Sequence, residues 1–289
     1  MSLLNVVILA IVQGLAELLP VSSSAHVVVV EKLLGLDPSS PPLTLLLVML
    51  HTGTMVAVIA YFWPRWRGTY FHSSAAFKTF AAYVLVATAC TAVIGEGIVK
   101  VIERTVFRNV PHAQIEDLFG HLEFIAPALA AAGVLIVIAG IFGNRQRTQD
   151  LSAATDLNVK RAGMIGAVQG LCLPFRGFSR SGATISTGML LGVAKSRAEP
   201  FSFALAVVLT PPVVAREIMR LVHAARLSGT AELGSVALLT VVGAVVAFLA
   251  GLVALRWLSR WLEGGRWYVF GIYCLVAAAA VAFLHRAGY

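Results

Sequence analysis

The sequence predicts an all-α integral membrane protein, with six transmembrane helices plus two re-entrant helical hairpins in an inverted-topology repeat. Of 289 residues, 58% are hydrophobic and 12% charged, and the mean hydropathy is +0.85. That composition lies far from ordinary soluble domains. Six stretches are apolar and long enough to cross roughly 30 Å of hydrocarbon. Two shorter apolar stretches are broken by Pro and Ser and share a sequence, AIVQGL at 10–15 and AVQGL at 167–171.

In chain order, residues 3–18 make an apolar helix too short to span before Pro20 removes a backbone donor. Helix resumes near Ser22 and runs to about Leu36. Two half-length helices around a Pro-Val-Ser-Ser break describe a hairpin that is tolerated at membrane depth only where it faces protein or a wet cavity. Full spans follow at 43–63, 77–99 and 124–142. The first ends in the interfacial cluster Tyr61, Trp63, Arg65, Trp66 and Arg67. Residues 100–123 are expected to form the longest polar loop and 143–160 a hydrophilic connector. The second broken hairpin then precedes spans at about 201–223, 235–255 and 267–285. With three spans in each half, the second copy enters from the opposite side. One membrane domain is expected, with repeats at about 1–142 and 161–289.

The formal charge of +8 lies between the apolar runs, which suits anionic headgroups and argues against a nucleic-acid partner. The side carrying Arg65, Arg67, Lys78, Arg145, Arg147, Lys160, Arg161, Lys195, Arg197, Arg256, Arg260 and Arg266 is modestly richer in basic residues than the side carrying Lys32, Lys100, Arg104, Arg108, Arg216, Arg220, Arg226 and Arg286. It is therefore assigned to the cytoplasm, with both termini outside. Cys90, Cys172 and Cys274 lack disulfide or zinc spacing and are expected to be buried thiols. The apolar N-terminus lacks a basic start and is read as retained.

The candidate chemistry lies in the two breaks. Gln13 and Glu17 are four residues apart and share a helix face, and a carboxylate at membrane depth is costly enough to imply function. Ser22, Ser23 and Ser24 open the second half-helix, one of them as its cap. His26 follows at a spacing that lets an imidazole take a hydroxyl proton. The second copy supplies Arg176, Gly177, Ser179, Arg180, Ser181 and Thr184. Free amides, hydroxyls and a guanidinium fork at a helix start make an anion site. Inverted half-helices would bring Glu17, Ser23 and His26 against Ser179, Arg180 and Thr184. A diphosphate there calls for Arg, amide dipoles and a divalent cation, with Glu17 as metal ligand or base and Gln13 orienting water or metal-bound groups. Each feature alone has a plain use: a serine run caps, a histidine packs, an arginine snorkels. The GxxxG pairs Gly166/Gly170 and Gly188/Gly192 pack helices. Their joint occurrence in two matched breaks points to a site.

QGLAELLPVSSSAH at 13–26 and GFSRSGATISTGMLLG at 177–192 resemble the undecaprenyl-pyrophosphate phosphatases, also called bacitracin-resistance proteins, whose motifs read (E/Q)GxxExxP[VI]SS[ST][GA]H and PGxSRSGAT. LHTGTMVAVIAYFW at 50–63 looks like that family's first full span. The resemblance implies outward-facing hydrolysis of undecaprenyl diphosphate to the monophosphate carrier in the bacterial inner membrane, with Mg2+ or Ca2+. It implies Glu17 and Gln13 as the acidic-motif pair, and Ser23 as nucleophile or phosphate ligand. His26 would be acid, base or rival nucleophile, and Arg180 the phosphate clamp, with Ser179, Ser181 and Thr184 completing the cradle. Its partners are the lipid substrate and membrane lipids, with homodimer formation left open. The chain departs from the pattern at Gln13, at Ala25 and at LPFRG, which moves the proline to Pro174 and adds Arg176. A second membrane phosphatase class, the phosphatidic-acid type, needs a further imidazole where this chain has Ser186. A transporter or lipid-carrier flippase could use the same inverted-repeat site.

Overall fold

A helix that cannot hydrogen-bond to lipid must satisfy its own backbone, and the described residues of this chain do so in ten α-helices. The computed structural model describes residues 2–37, 40–105, 122–149, 156–228 and 233–287, the side chains of 144–149, 213 and 220–237 excepted. No strand occurs among these residues. Six helices hold apolar stretches long enough to cross a membrane: α3 (Pro41–Thr69), α4 (Ser74–Thr105), α5 (Leu122–Gln149), α8 (Lys195–Ser228), α9 (Leu233–Glu263) and α10 (Trp267–Arg286). The remaining four form two hairpins, α1 (Leu3–Leu18) with α2 (Ser23–Leu33), and α6 (Val159–Cys172) with α7 (Arg180–Leu190). At 1.5 Å per residue each of these four is about 16 to 24 Å long, too short to cross alone.

Local chemistry explains both breaks. Leu19 precedes Pro20 and is extended, at φ −76° and ψ 151°, the region into which proline pushes its predecessor. Ser22 then turns the chain at φ 67°, the one positive φ among described non-glycine residues. In the second hairpin Gly177 turns at φ 102°, and a Cβ there would meet the carbonyl of Ile125. Only glycine meets both demands.

The packing exchanges partners between the halves. α1 lies on α9 as α6 lies on α4, while α3 packs on α8 and α5 on α10. The repeated Gln-Gly pair explains the first correspondence. Gly14 lets α1 approach Ala247 and Ala250, and Gly170 lets α6 approach Thr91 and Gly95. Gly166 adds a closer contact, with Ala87 where a side chain would stand. Gln169, fully buried, donates to Thr91 Oγ1 at 3.1 Å, and Thr91 donates in turn to the carbonyls of Ala87 and Gly166. At one end of the bundle Arg65 of α3 meets Glu199 of α8 at 3.4 Å and Glu263 of α9 at 3.5 Å, and Lys195 donates to the Leu262 carbonyl. Arg65 and Lys195, two of the basic residues assigned to one side by sequence, both lie there.

Several boundaries differ from the sequence reading. α3 continues through Pro64 to Thr69, past the expected end at Trp63. The expected connector at 143–160 is helical at both ends, because α5 runs to Gln149 and α6 starts at Val159; residues 150–155 lie outside the described ones. The expected loop at 100–123 begins as helix to Thr105, and 106–121 also lie outside the described residues. The second GxxxG pair is not one packing face. Gly188 does meet Ala198 of α8, but Gly192 lies beyond α7 at φ 76°. The cysteines are free, with Cys172 and Cys274 buried and Cys90 partly so.

Gly166→Ala should place a methyl group in the Ala87 backbone and destabilise the protein by about 1–3 kcal/mol. Gly68→Ala, in α3 with nothing within 4 Å of the added carbon, should be neutral or slightly stabilising. Thermal melting of both purified variants checks this.

Candidate active site

Glu17, in the last turn of α1, lies at the level of His51, Thr54 and Met55 of α3 and of Phe203, Ala206 and Val207 of α8, near the middle of both spans. Its carboxylate collects four groups. Ser23 Oγ donates to Oε2 at 2.5 Å, Gln13 Nε2 donates to the same oxygen at 3.2 Å, and Arg180 Nη2 donates to Oε1 at 3.1 Å. His51 Nε2 lies 3.7 Å from Oε2. The helical spacing of Gln13 and Glu17 works as the sequence indicated. The Glu17–Arg180 pair joins residues 163 positions apart, which only the meeting of the two hairpins permits. The side chains of Glu17 and Arg180 are 17% and 21% exposed, so the pair is shielded but reachable.

The helix starts hold the cationic side. Ser179 is the N-cap of α7, its hydroxyl accepting from the Gly182 amide at 3.2 Å. Arg180 is therefore the first residue of α7 and sits at its positive dipole end. Ser181 donates to the Leu19 carbonyl at 3.4 Å, tying α7 to the first break. Thr184 donates to the Arg180 carbonyl at 2.8 Å and bonds Ser202 of α8 at 2.5 Å. These three side chains are buried and committed to protein partners; they shape the cradle by fixing Arg180 and the α7 amides. Ser22 is the N-cap of α2 but makes no side-chain cap; its hydroxyl pairs with that of Ser24 at 3.3 Å. Ser24 also accepts from the Gly177 amide at 3.4 Å, a second bridge between the breaks.

Two clefts meet at the Glu17–Arg180 pair. One, the more polar, is lined by Ser22, Ser23, Ser24, Ser179, Ser181 and the exposed Arg176, together with Leu173, Phe175 and Phe178. The other lies between α1, α3 and α8 and is mostly apolar, lined by Leu18, Met55, Val58, Phe203, Ala206 and Val207, with His51, Thr54 and Thr210.

His26 departs from its expected geometry. Its Nδ1 lies 2.8 Å from the Ser22 carbonyl oxygen and its Nε2 2.8 Å from the Tyr273 hydroxyl of α10, with the two rings stacked at 5.6 Å. A carbonyl only accepts, so Nδ1 carries the proton and Nε2 of the neutral ring accepts from Tyr273. The hydroxyl of Ser23 points instead to Glu17. His26 thus braces the left-handed turn at Ser22. Sequence reasoning missed His51 and Tyr273. His51 sits in the LHTGT run of the first full span, a visible signal; Tyr273 lies 247 residues from His26 and carries none.

Among the described residues no three His, Cys, Asp or Glu side chains gather as a metal cage. Glu17 offers one carboxylate, with the Gln13 amide beside it. Mg2+ is commonly held by one or two carboxylates plus substrate phosphate oxygens, and the donor set here fits that mode alone.

Six apolar spans around two broken hairpins define a multi-pass membrane protein with an ion pair inside its bundle, where the two hairpins meet. Residues 6–280 match the family described as Bacitracin resistance protein BacA. The chain is 55% identical over 284 residues to Undecaprenyl-diphosphatase 2 of Acinetobacter baylyi, covering 97% of each. It is 34% identical to Undecaprenyl-diphosphatase 2 of Burkholderia orbicola, covering 96% of this chain and 95% of that one. It is 33% identical to Undecaprenyl-diphosphatase of Desulfosudis oleivorans, covering 93% and 94%. The chain belongs to the BacA bacitracin-resistance protein family.

Removing Arg180 alone leaves a shielded carboxylate without its cation, so Arg180→Ala should cost on the order of 2–3 kcal/mol. Glu17→Gln/Arg180→Ala should lose clearly less than the sum of the single changes. Denaturation of the four proteins in one detergent gives the coupling; strict additivity would deny the pair.

Proposed function

We propose that this protein hydrolyses undecaprenyl diphosphate to undecaprenyl monophosphate and phosphate at the outer face of the bacterial inner membrane. Such a reaction recycles a lipid carrier for cell-wall synthesis. The observation that carries the reading is the chain Arg180–Glu17–Ser23, a guanidinium, a carboxylate and a hydroxyl in contact across the two breaks. The names of the three relatives, all diphosphatases, favour hydrolysis over the transporter or flippase alternative.

The geometry supports the following roles. Arg180 and the amides opening α7 bind the terminal phosphate, and Arg176 meets the diphosphate at the mouth of the polar cleft. Ser179, Ser181 and Thr184 hold that half-helix in place. Ser23 Oγ attacks the terminal phosphorus while its proton passes to the carboxylate of Glu17. The bridging P–O bond breaks, prenyl monophosphate leaves, and water then releases phosphate from Ser23. Gln13 orients Glu17, and His26 keeps Ser22, hence Ser23, in position. Mg2+ or Ca2+, held by Glu17, Gln13 and the substrate's own oxygens, would neutralise diphosphate charge. The more basic end faces the cytoplasm on this reading, and residues 1–142 and 161–289 are inverted repeats of one membrane domain.

Purified protein with a prenyl diphosphate should release phosphate, and a chelator should abolish release until divalent metal returns. Glu17→Gln, Ser23→Ala and Arg180→Ala should each lose at least about 100-fold in kcat/KM. Full activity in the folded Glu17→Gln and Arg180→Ala proteins would overturn the site. Tyr273→Phe, which frees His26 Nε2, should lower kcat by less than about tenfold and leave KM unchanged.

A further inference from the structure

The corner between α9 and α10 gathers a second cluster of positive charge, apart from the Glu17 site. Arg256 and Arg260 lie one turn apart on α9, as do Trp257 and Trp261, whose rings meet edge to face at 5.1 Å. Gly265 turns the chain at φ 74°, and Arg266 is the N-cap residue of α10, which has no side-chain cap. Arg256, Trp257, Arg260, Trp261, Gly264 and Arg266 line one open concavity of about 670 Å³, a size typical of small-molecule sites.

Three observations separate this concavity from ordinary positive charge at a membrane end. None of its three guanidinium groups has an ion pair or side-chain hydrogen bond among the described residues. Of the other described arginines at the same end, Arg67 likewise shows no acceptor, whereas three others do. Arg65 has Glu199 and Glu263, Arg161 the Asp156 carbonyl, and Arg197 the Asp156 carboxylate. The nearest carboxylate in sequence, Glu263, is thus turned to Arg65. Second, the uncapped start of α10 adds its positive dipole end beside Arg266. Third, Trp257 is 42% exposed next to the arginines, the amphipathic ring that favours the headgroup level of a bilayer. The corner lies at the Arg65 end of α3, about 21 Å along that helix from His51, so it is distinct from the Glu17 site.

We infer that this concavity is a specific site for the headgroup of an anionic phospholipid, favouring one that carries two phosphates. Three guanidinium forks can each take a pair of phosphate oxygens, and a double phosphate matches their charge better than a single one. The tryptophans flank the lipid at the junction of headgroup and chains. This inference rests on the membrane-spanning fold and is independent of the hydrolysis proposed above.

Native mass spectrometry of the detergent-purified protein, offered cardiolipin, phosphatidylglycerol or phosphatidylcholine, tests it. The protein should retain cardiolipin most, phosphatidylglycerol less and phosphatidylcholine least. Arg256→Ala/Arg260→Ala/Arg266→Ala should weaken cardiolipin retention at least about tenfold. Arg67→Ala, an exposed change at the same end but outside the concavity, should leave it unchanged. Arg256→Lys/Arg260→Lys/Arg266→Lys, which keeps charge but loses the forks, should fall between. Melting in lipid-free detergent should be alike for all four proteins. Unchanged retention in the triple alanine variant would sink the inference, as would an equal loss in Arg67→Ala. Binding of inorganic pyrophosphate at the three arginines without lipid retention would show an anion site that is not a lipid site, and would overturn it too.

Discussion

A carboxylate held halfway through a membrane bundle is the constraint around which this fold is arranged. Desolvating Glu17 is unfavourable by several kcal/mol unless cations and donors surround it, and the chain supplies Arg180, Ser23, Gln13 and, slightly farther away, His51. A continuous helix could not do this as well. Its amides are satisfied internally, and its dipole ends lie at the membrane surfaces. Interrupting two helices at depth brings a positive helix start and an arginine to the carboxylate.

Broken helices need a stiff frame, and the glycines provide it. Close approach of α1 to α9 and of α6 to α4 fixes the first arm of each hairpin against a full span. Gly177 presses the second break against α5. Serines and threonines near the breaks bond one element to another: Ser24 to Gly177, Ser181 to Leu19, Thr184 to Ser202. Small side chains therefore serve twice, permitting close approach and then bonding across it.

Much of this was legible before any coordinates. Apolar length marked the six spans, and the duplicated Gln-Gly with its following proline marked the two hairpins. The pairing of Glu17 with Arg180 was readable because opposite charges stood in matched breaks. Ends of helices were less readable. The run from Asn144 to Gln149 is rich in Arg and Gln, polar residues that are nonetheless good helix formers, so polarity suggested a connector where α5 continues. The orientation of His26 was out of reach, since helical spacing shows what an imidazole can touch locally and not that Tyr273 would take it. His51 was hidden for a related reason, because one histidine in a span reads as packing until α1 is laid beside α3.

The shared position of Glu17 and Arg180 between two clefts bears on turnover. On the proposed reaction, the internal carboxylate and the substrate's phosphate contend for one guanidinium, so binding has to displace an ion pair that the site already holds. The same exchange runs backward after hydrolysis. On that reaction, released phosphate has to yield Arg180 to a carboxylate that never leaves.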